Sequence, residues 1–417
     1  MSAPSRRFLL VALGSTADVA PFLALGAALR AAGHAATLLA DPSLSSLAAS
    51  AGLDFAPLAS PTLLPEPLLH IPPEPKLVAA LYASLVPIFH PLLDAVLAQL
   101  PNHDALVTSR LFPFLRNAAS AASRQCAVLA LDPLGLPFPQ TTPAGSVPPA
   151  WLPRFLHAAH HRSAWRAQEW QLDQMVNRFA GPALRARNLG NFHGFLSQPA
   201  DRILVAISPI LFPPPGPPPP SYVYTGFLHG PSPPDAAATT RLAPIATLAR
   251  GGAPVPVLSL PRLFSKAEAP ILHRLLAAWP NDLPLVIHSA NTPPNPDLQR
   301  PEILLPGPVP VEELFTHATV VIHDGGYATT VAALYAGRAQ IVIPPSRNPP
   351  YWAAALARLG VARILDPATW PEQLPAAVDA ALRDVATVRR VTECASTLRA
   401  ENGPALAVAE LEKFWPA

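Results

Sequence analysis

Two short stretches carry side chains suited to chemistry. In Gly14-Ser15-Thr16-Ala17-Asp18-Val19 a carboxylate follows an apolar run by way of a glycine turn. Held in such a turn, Asp18 can accept a proton from a hydroxyl. It can equally cap the helix that follows, and spacing alone favours capping. In the second stretch Val320-Val321-Ile322-His323 leads through Asp324, Gly325 and Gly326 into Tyr327 to Leu334. That pattern predicts a strand, a glycine turn and a helix. The first turn of a helix has unpaired N–H groups and the positive end of the helix dipole, so it can seat an anion such as a diphosphate. His323 can donate an imidazole N–H to the same anion, and Thr329 or Thr330 a hydroxyl. The plainer reading is a ligand-free strand-turn-helix unit of the kind many α/β proteins contain, with His323 simply closing a strand.

Both stretches need a framework, and the chain is long enough to supply one. Its 417 residues, 50% hydrophobic, can bury more than one core. Charged residues are only 13% and the net charge is +2, which argues against nucleic-acid binding through a basic field. Two cysteines, Cys126 and Cys394, have no metal-ligand spacing, and a reducing cytosolic setting is the simplest reading. Phe8 to Leu13 is too short for a secretory leader and reads as a first strand. No apolar stretch is expected to reach the roughly 20 residues of a membrane crossing. The 57 prolines cluster in connections such as Pro143 to Pro153 and Pro213 to Pro220, and carry no case for a proline-recognising partner.

Strands at Phe8 to Leu13, Ala35 to Leu39, Phe55 to Leu58, Ala105 to Val107, Cys126 to Leu131 and Ile203 to Ala206 alternate with helices. One of these helices, Asp18-Val19-Ala20-Pro21 followed by Phe22 to Ala32, is expected to have Pro21 in its first turn. A second series follows, with strands at Val255 to Leu260, Leu285 to Ser289, Val320 to His323, Ile341 to Ile343 and Ala362 to Leu365, and Ile303 to Leu305 leading into a proline-rich loop. The expected fold class is α/β, with two Rossmann-like domains of parallel sheet facing each other across a cleft. The expected divisions are residues 1–236, 237–395 and a closing helical segment 396–417 that packs back toward the first domain.

Leu10-Val11-Ala12-Leu13-Gly14-Ser15-Thr16-Ala17-Asp18-Val19-Ala20-Pro21-Phe22 resembles the opening of the two-domain, nucleotide-sugar-dependent glycosyltransferases (GT-B, family 1). His323 with Gly325 and Gly326, then Ala336-Gly337, Gln340, Pro344 and Tyr351-Trp352-Ala353, is similar to that family's donor-diphosphate region. The chain is most similar to the bacterial members that glycosylate antibiotics, sterols and lipids, including the second-chain rhamnosyltransferase of rhamnolipid synthesis. The resemblance implies that Asp18 is the general base on the acceptor hydroxyl, with Ser15 beside it. It implies a donor site at His323, Gly325, Gly326, Thr329, Thr330 and Asn348, with the base against Val309 and Pro310. A dTDP- or UDP-sugar is then the donor substrate, no further cofactor or metal is needed, and the sugar passes to an apolar small-molecule or lipid acceptor. The expected setting is cytoplasmic with peripheral contact to the inner membrane; oligomeric state is left open.

Several positions depart from the family pattern or allow two readings. Asn348-Pro349 stands where the family has an Asp-Gln pair on the sugar hydroxyls, which favours a less hydroxylated deoxysugar. Asp324 and Tyr327 put a carboxylate and a ring beside the phosphate seat. Arg262, after Ser259-Leu260-Pro261, can clamp phosphate with its fork or face solvent. Asp132 can border the acceptor or satisfy its own loop. Trp151, Phe155, Trp165 and Trp170 suggest an apolar acceptor region, and helix packing explains them nearly as well. His157, His160 and His161 lack a carboxylate or cysteine to complete a metal site. The alternative to an active transferase is a weak or inactive relative that binds nucleotide, lipid or a partner.

Overall fold

Short runs of Val, Ile and Leu, punctuated by glycine and proline, become the strands of two α/β units. The computed structural model describes residues 5–58, 75–132, 135–138, 140–143, 148–230, 236–260, 263, 269–289, 298, 300–344 and 351–414. One unit comprises Met1–Gly230 with Asn402–Ala417, and the other Pro231–Glu401. The divisions read from composition stood at 236/237 and 395/396.

In the first unit β1 (Arg7–Val11), β2 (Ala35–Ala40), β3 (Asp54–Pro57), β4 (Ala105–Ser109), β5 (Gln125–Ala130), β6 (Arg202–Val205) and β7 (Tyr222–Tyr224) form one sheet in the order β3-β2-β1-β4-β5-β6-β7. Every pairing is parallel. The chain leaves β1 toward β2 and later crosses back to β4, so the strand order reverses beside β1. In doubly wound sheets that reversal opens a crevice at the C-terminal strand ends, where ligands bind.

The helix after β1 spans Thr16–Ala31, beginning just before the expected Asp18. Ser15 is its N-cap and Asp18 its third residue, so capping starts the helix before Pro21. Pro21 therefore lies inside the helix, where it removes one backbone hydrogen bond.

The expectation that no apolar stretch reaches spanning length is corrected by the helix Pro75–Gln99. The run Pro75–Asn102 is long and apolar enough to cross a membrane. Its Val78, Leu81, Tyr82, Leu85, Ile88, Phe89, Leu92, Leu93 and Val96 are buried in the protein at helical spacing, as expected of a core helix. Beyond β5 the helices His157–Phe179 and Gly181–Arg185 follow each other directly, with Pro182 in the first turn of the second.

The second unit repeats the winding. β8 (Pro256–Ser259), β9 (Leu285–His288), β10 (Ile303–Leu304), β11 (Val320–His323), β12 (Ala339–Val342) and β13 (Ala362–Ile364) lie in the order β10-β9-β8-β11-β12-β13, all parallel. Both faces are covered. Leu258, Ile287, Val320, Ile322 and Ile341 enter one core, and Val257, Val286 and Val321 the other. Burial on both faces explains why these strands are continuously apolar rather than alternating. Ser259, His288 and His323 are register partners at the strand ends, each two residues beyond a valine of the second core, so they share its face.

The closing helix Gly403–Phe414 belongs to the first unit. His34 Nε2 meets Glu412 at 3.0 Å and Arg202 meets Glu410 at 3.1 Å. A side chain at Gly403 would run into the Phe227 carbonyl, so glycine allows this close approach.

Candidate active site

In the first unit Gly14 has a φ of +119°, and a β-carbon there would collide with Asp18 Oδ2. Glycine thus serves both the turn and the carboxylate folded over it. Ser15 donates its backbone N–H at 2.7 Å and its hydroxyl at 2.8 Å to Asp18 Oδ2. Asp18 is fully buried. Capping is therefore built into the structure, while proton transfer requires a substrate hydroxyl to reach the buried carboxylate. Asp18 and Ser15, two of the residues singled out in the sequence, stand together at the strand-order reversal.

Asp132 follows β5. Its carboxylate accepts from Arg110 Nη2 at 2.6 Å, and the two side chains are only 6% and 4% exposed. It is half of a buried ion pair, whatever contact an acceptor makes nearby. Trp151 and Phe155 are 79% and 81% exposed and lie in the connection that leaves the C-terminal end of β5. Trp165, by contrast, is buried and donates its indole N–H to the Thr141 carbonyl. No cluster of three or more His, Cys, Asp or Glu among the described residues is placed to hold a metal.

In the second unit His323 is fully buried at the end of β11. Gly325 donates its N–H to His323 Nδ1 at 3.1 Å, so Nδ1 is the acceptor and Nε2 carries the proton. Nε2 stands 2.9 Å from Gln340 Oε1 and donates to it. Burial holds the imidazole below its ordinary pKa, against the opposing pull of Asp324 and Gln340. The expected imidazole donor to phosphate is already committed to Gln340. His323 instead holds Gly325, whose φ of +87° suits glycine, from beneath the turn.

Gly326 is the N-cap of the helix Tyr327–Tyr335. Its N–H goes to Asp324 Oδ1 at 3.0 Å, and its carbonyl accepts from Thr330 N at 3.0 Å. Thr329 Oγ1 lies 3.2 Å from that carbonyl and 3.4 Å from His323 Nδ1. Thr330 is buried, with no hydrogen-bond partner for its hydroxyl among the described residues. Tyr327 is buried edge-on to Trp352, with ring centroids 5.6 Å apart, so its ring packs into the core. Val309, 8% exposed, offers its carbonyl to His288 Nε2 at 3.1 Å. Arg262 and Asn348, with Pro349, lie outside the described residues.

Asp324 thus sits as a resident anion at the start of the helix that would seat a diphosphate. Asp324→Asn keeps an oxygen for Gly326 and removes the charge. Binding of inorganic pyrophosphate, followed by calorimetry at low ionic strength, is expected to tighten about threefold to tenfold, in keeping with charge effects at helix termini. Unchanged affinity would place the diphosphate elsewhere.

Two residues of these sites were missed in the sequence, Arg110 and His288, whereas Gln340 was named with the donor-diphosphate region but not as the partner of His323. A signal for His288 was present, because Leu285-Val286-Ile287-His288 repeats the pattern Val320-Val321-Ile322-His323. Arg110 had none, since its partner lies on a neighbouring strand.

No family model matches the chain. It is 26% identical to the O-mycaminosyltylonolide 6-deoxyallosyltransferase of Streptomyces fradiae, over 98% of this chain and 97% of that protein. A shorter stretch, 23% of this chain, is 38% identical to the vancomycin aglycone glucosyltransferase of Amycolatopsis orientalis and covers 24% of it. Among solved structures, the glycotransferase of kitacinnamycin superposes with a TM-score of 0.69 at 20% identity, covering 99% of this chain and all of that one. The glycosyltransferase VinC, solved with dTDP, gives 0.68 at 14% identity over 98% and 99% of the two chains. Along nearly its whole length, then, the chain has the GT-B fold of two doubly wound units and resembles the glycosyltransferases of antibiotics and other natural products.

Proposed function

We propose that the protein transfers a hexose or deoxyhexose from a dTDP- or UDP-sugar to a hydroxyl of an apolar small-molecule or lipid acceptor, with inversion at the sugar carbon. The observation that carries this reading is the placement of two chemically suited turns, one in each unit. Asp18 and the glycine turn after His323 each follow a strand at which the order reverses. The whole-length likeness to a deoxyallosyltransferase supports the same reading.

In the proposed step the acceptor oxygen attacks the anomeric carbon as its proton passes to Asp18. The bond from that carbon to the diphosphate breaks, and the electron pair leaves with the nucleoside diphosphate. Charge growing on the leaving group is met by the N-terminal N–H groups of the helix Tyr327–Tyr335. His323 positions the turn, and Thr329 adds a hydroxyl at its edge. Arg262 and Asn348 are proposed to touch phosphate and sugar. The Asn348-Pro349 departure favours a dTDP-deoxyhexose such as rhamnose over UDP-glucose, and the 6-deoxy sugar in the name of the relative points the same way.

The exposed Trp151 and Phe155 fit an apolar acceptor, as does the exposed Trp170. With Arg154, Arg162 and Arg166 also exposed nearby, they support collection of that acceptor at a membrane surface from the cytoplasmic side. A second reading, a nucleotide-binding protein without turnover, draws on the zero exposure of Asp18 and the resident Asp324.

Incubating the purified protein with dTDP-rhamnose, UDP-glucose and a panel of apolar alcohols distinguishes the two. Nucleoside diphosphate released with matching glycoside is the expected result, with the deoxysugar donor turned over faster. Donor binding without turnover across the whole panel would favour the second reading.

A further inference from the structure

We infer that Ser259 and His288 act as a positioning unit for the donor's base, orienting the Val309 carbonyl through a directed chain of two hydrogen bonds. The inference rests on the nucleotide-sugar reading above. His288 closes β9 and Ser259 closes the neighbouring β8, in register and on one face. His288 Nδ1 is 3.1 Å from Ser259 Oγ, and Nε2 is 3.1 Å from the Val309 carbonyl. A carbonyl carries no proton, so Nε2 must be the protonated nitrogen. Nδ1 then accepts, and the Ser259 hydroxyl donates. Both His288 nitrogens are thereby satisfied in the neutral form, and burial lowers its pKa in the same sense.

The loop that this chain reaches is poor in backbone donors. Pro306, Pro308 and Pro310 have no N–H, which leaves Gly307 and Val309 as the residues of Pro306-Gly307-Pro308-Val309-Pro310 with both an N–H and a carbonyl. A pyrimidine base presents donor and acceptor atoms side by side on its ring edge, and one such backbone residue can pair with both. Gly307 has a φ of +69°, the left-handed turn conformation that favours glycine. Val309 lies between two prolines, immediately before the helix Val311–His317, for which Pro310 is the N-cap. The loop is tied from outside: Arg241 donates to the Pro308 carbonyl at 2.8 Å, and His288 to that of Val309. A carbonyl has two lone pairs, so Val309 can accept from His288 and still meet a base.

An imidazole that merely filled the core would need no directed link from a strand end to this loop. Ser259 at the end of β8 stands in register between His288 on β9 and His323 on β11, so base and diphosphate recognition are organised from three neighbouring strand ends.

The test uses the full chain and four probes: UDP, dTDP and inorganic pyrophosphate by calorimetry, and donor sugar in steady-state kinetics. His288→Ala is expected to weaken UDP and dTDP about threefold to tenfold, the scale of one buried hydrogen bond, and to leave pyrophosphate unchanged. Donor KM should rise with kcat within about twofold, the pattern of lost uniform binding. His288→Gln, whose amide can both donate to Val309 and accept from Ser259, should restore most of the affinity. If His288→Ala does not fold, Ser259→Ala carries the test, with an expected twofold to fivefold loss confined to the nucleotides. Equal weakening of pyrophosphate, or no weakening of nucleotide, would overturn the inference alone. Wild-type protein that binds neither UDP nor dTDP would overturn the donor-site reading, and this inference with it.

Discussion

Asp18→Asn is expected to lower kcat by about 10²–10⁴-fold, the range for removing a general base, with little change in Tm. The contrast between those two readouts makes the substitution informative. The aspartate has a demonstrated local role, because its Oδ2 takes both the Ser15 N–H and the Ser15 hydroxyl. Asparagine keeps an oxygen for the backbone donor and is itself a good residue at helix starts, so folding is preserved. What it lacks is basicity. The carboxylate folds closely over Gly14, and asparagine is nearly the same size, so the same close approach is kept. Purified variant and wild type compared in initial-rate assays and thermal melts decide the matter. A native melt with undiminished kcat would remove Asp18 from the mechanism and leave it as a cap.

Arg110→Met is expected to destabilise the first unit by roughly 3–5 kcal/mol, a fall in Tm of about 10 °C. The methionine has similar reach but no charge, so Asp132 would lose its guanidinium partner in a site where its side chain is 6% exposed. Removing one charge of a buried ion pair costs far more than the pair contributes when intact, because that charge no longer offsets the desolvation of the other. Removing both charges in Arg110→Met with Asp132→Leu should therefore recover most of the loss. Chemical and thermal unfolding of the single and double variants measures the coupling. Additive losses would show that the 2.6 Å contact is not the interaction that matters. The pair also occupies the C-terminal ends of β4 and β5, so its loss would reach the connection carrying Trp151 and Phe155.

Much of the fold was legible because parallel strands buried on both faces must be apolar throughout. Val320-Val321-Ile322 and Leu285-Val286-Ile287 announce themselves in a way that half-exposed strands do not. Helix boundaries were less legible. The helix after β1 begins at Thr16 because Ser15 and Asp18 cap it, whereas Pro21 suggested a later start. Pro75–Gln99 is one continuous helix although Pro87 and Pro91 lie inside it, because each removes a single backbone hydrogen bond that the buried apolar face outweighs.

The sequence by itself determined the two α/β series, the glycine turns after β1 and β11, and the residue types that could serve a nucleotide sugar. These follow from local rules: hydrophobic period, proline and glycine placement, and the free N–H groups of a helix start. Tertiary structure alone decided which of those groups remain available. Gln340, seventeen residues beyond His323 and brought beside it by strand pairing, receives the imidazole proton and turns an apparent phosphate donor into a support for Gly325. Arg110 claims Asp132 across two strands, and Ser259 and His288 meet only because β8 and β9 are neighbours in register. Proton positions and charge pairings depend on distances of about 3 Å between residues far apart in the chain, and only packing sets those distances.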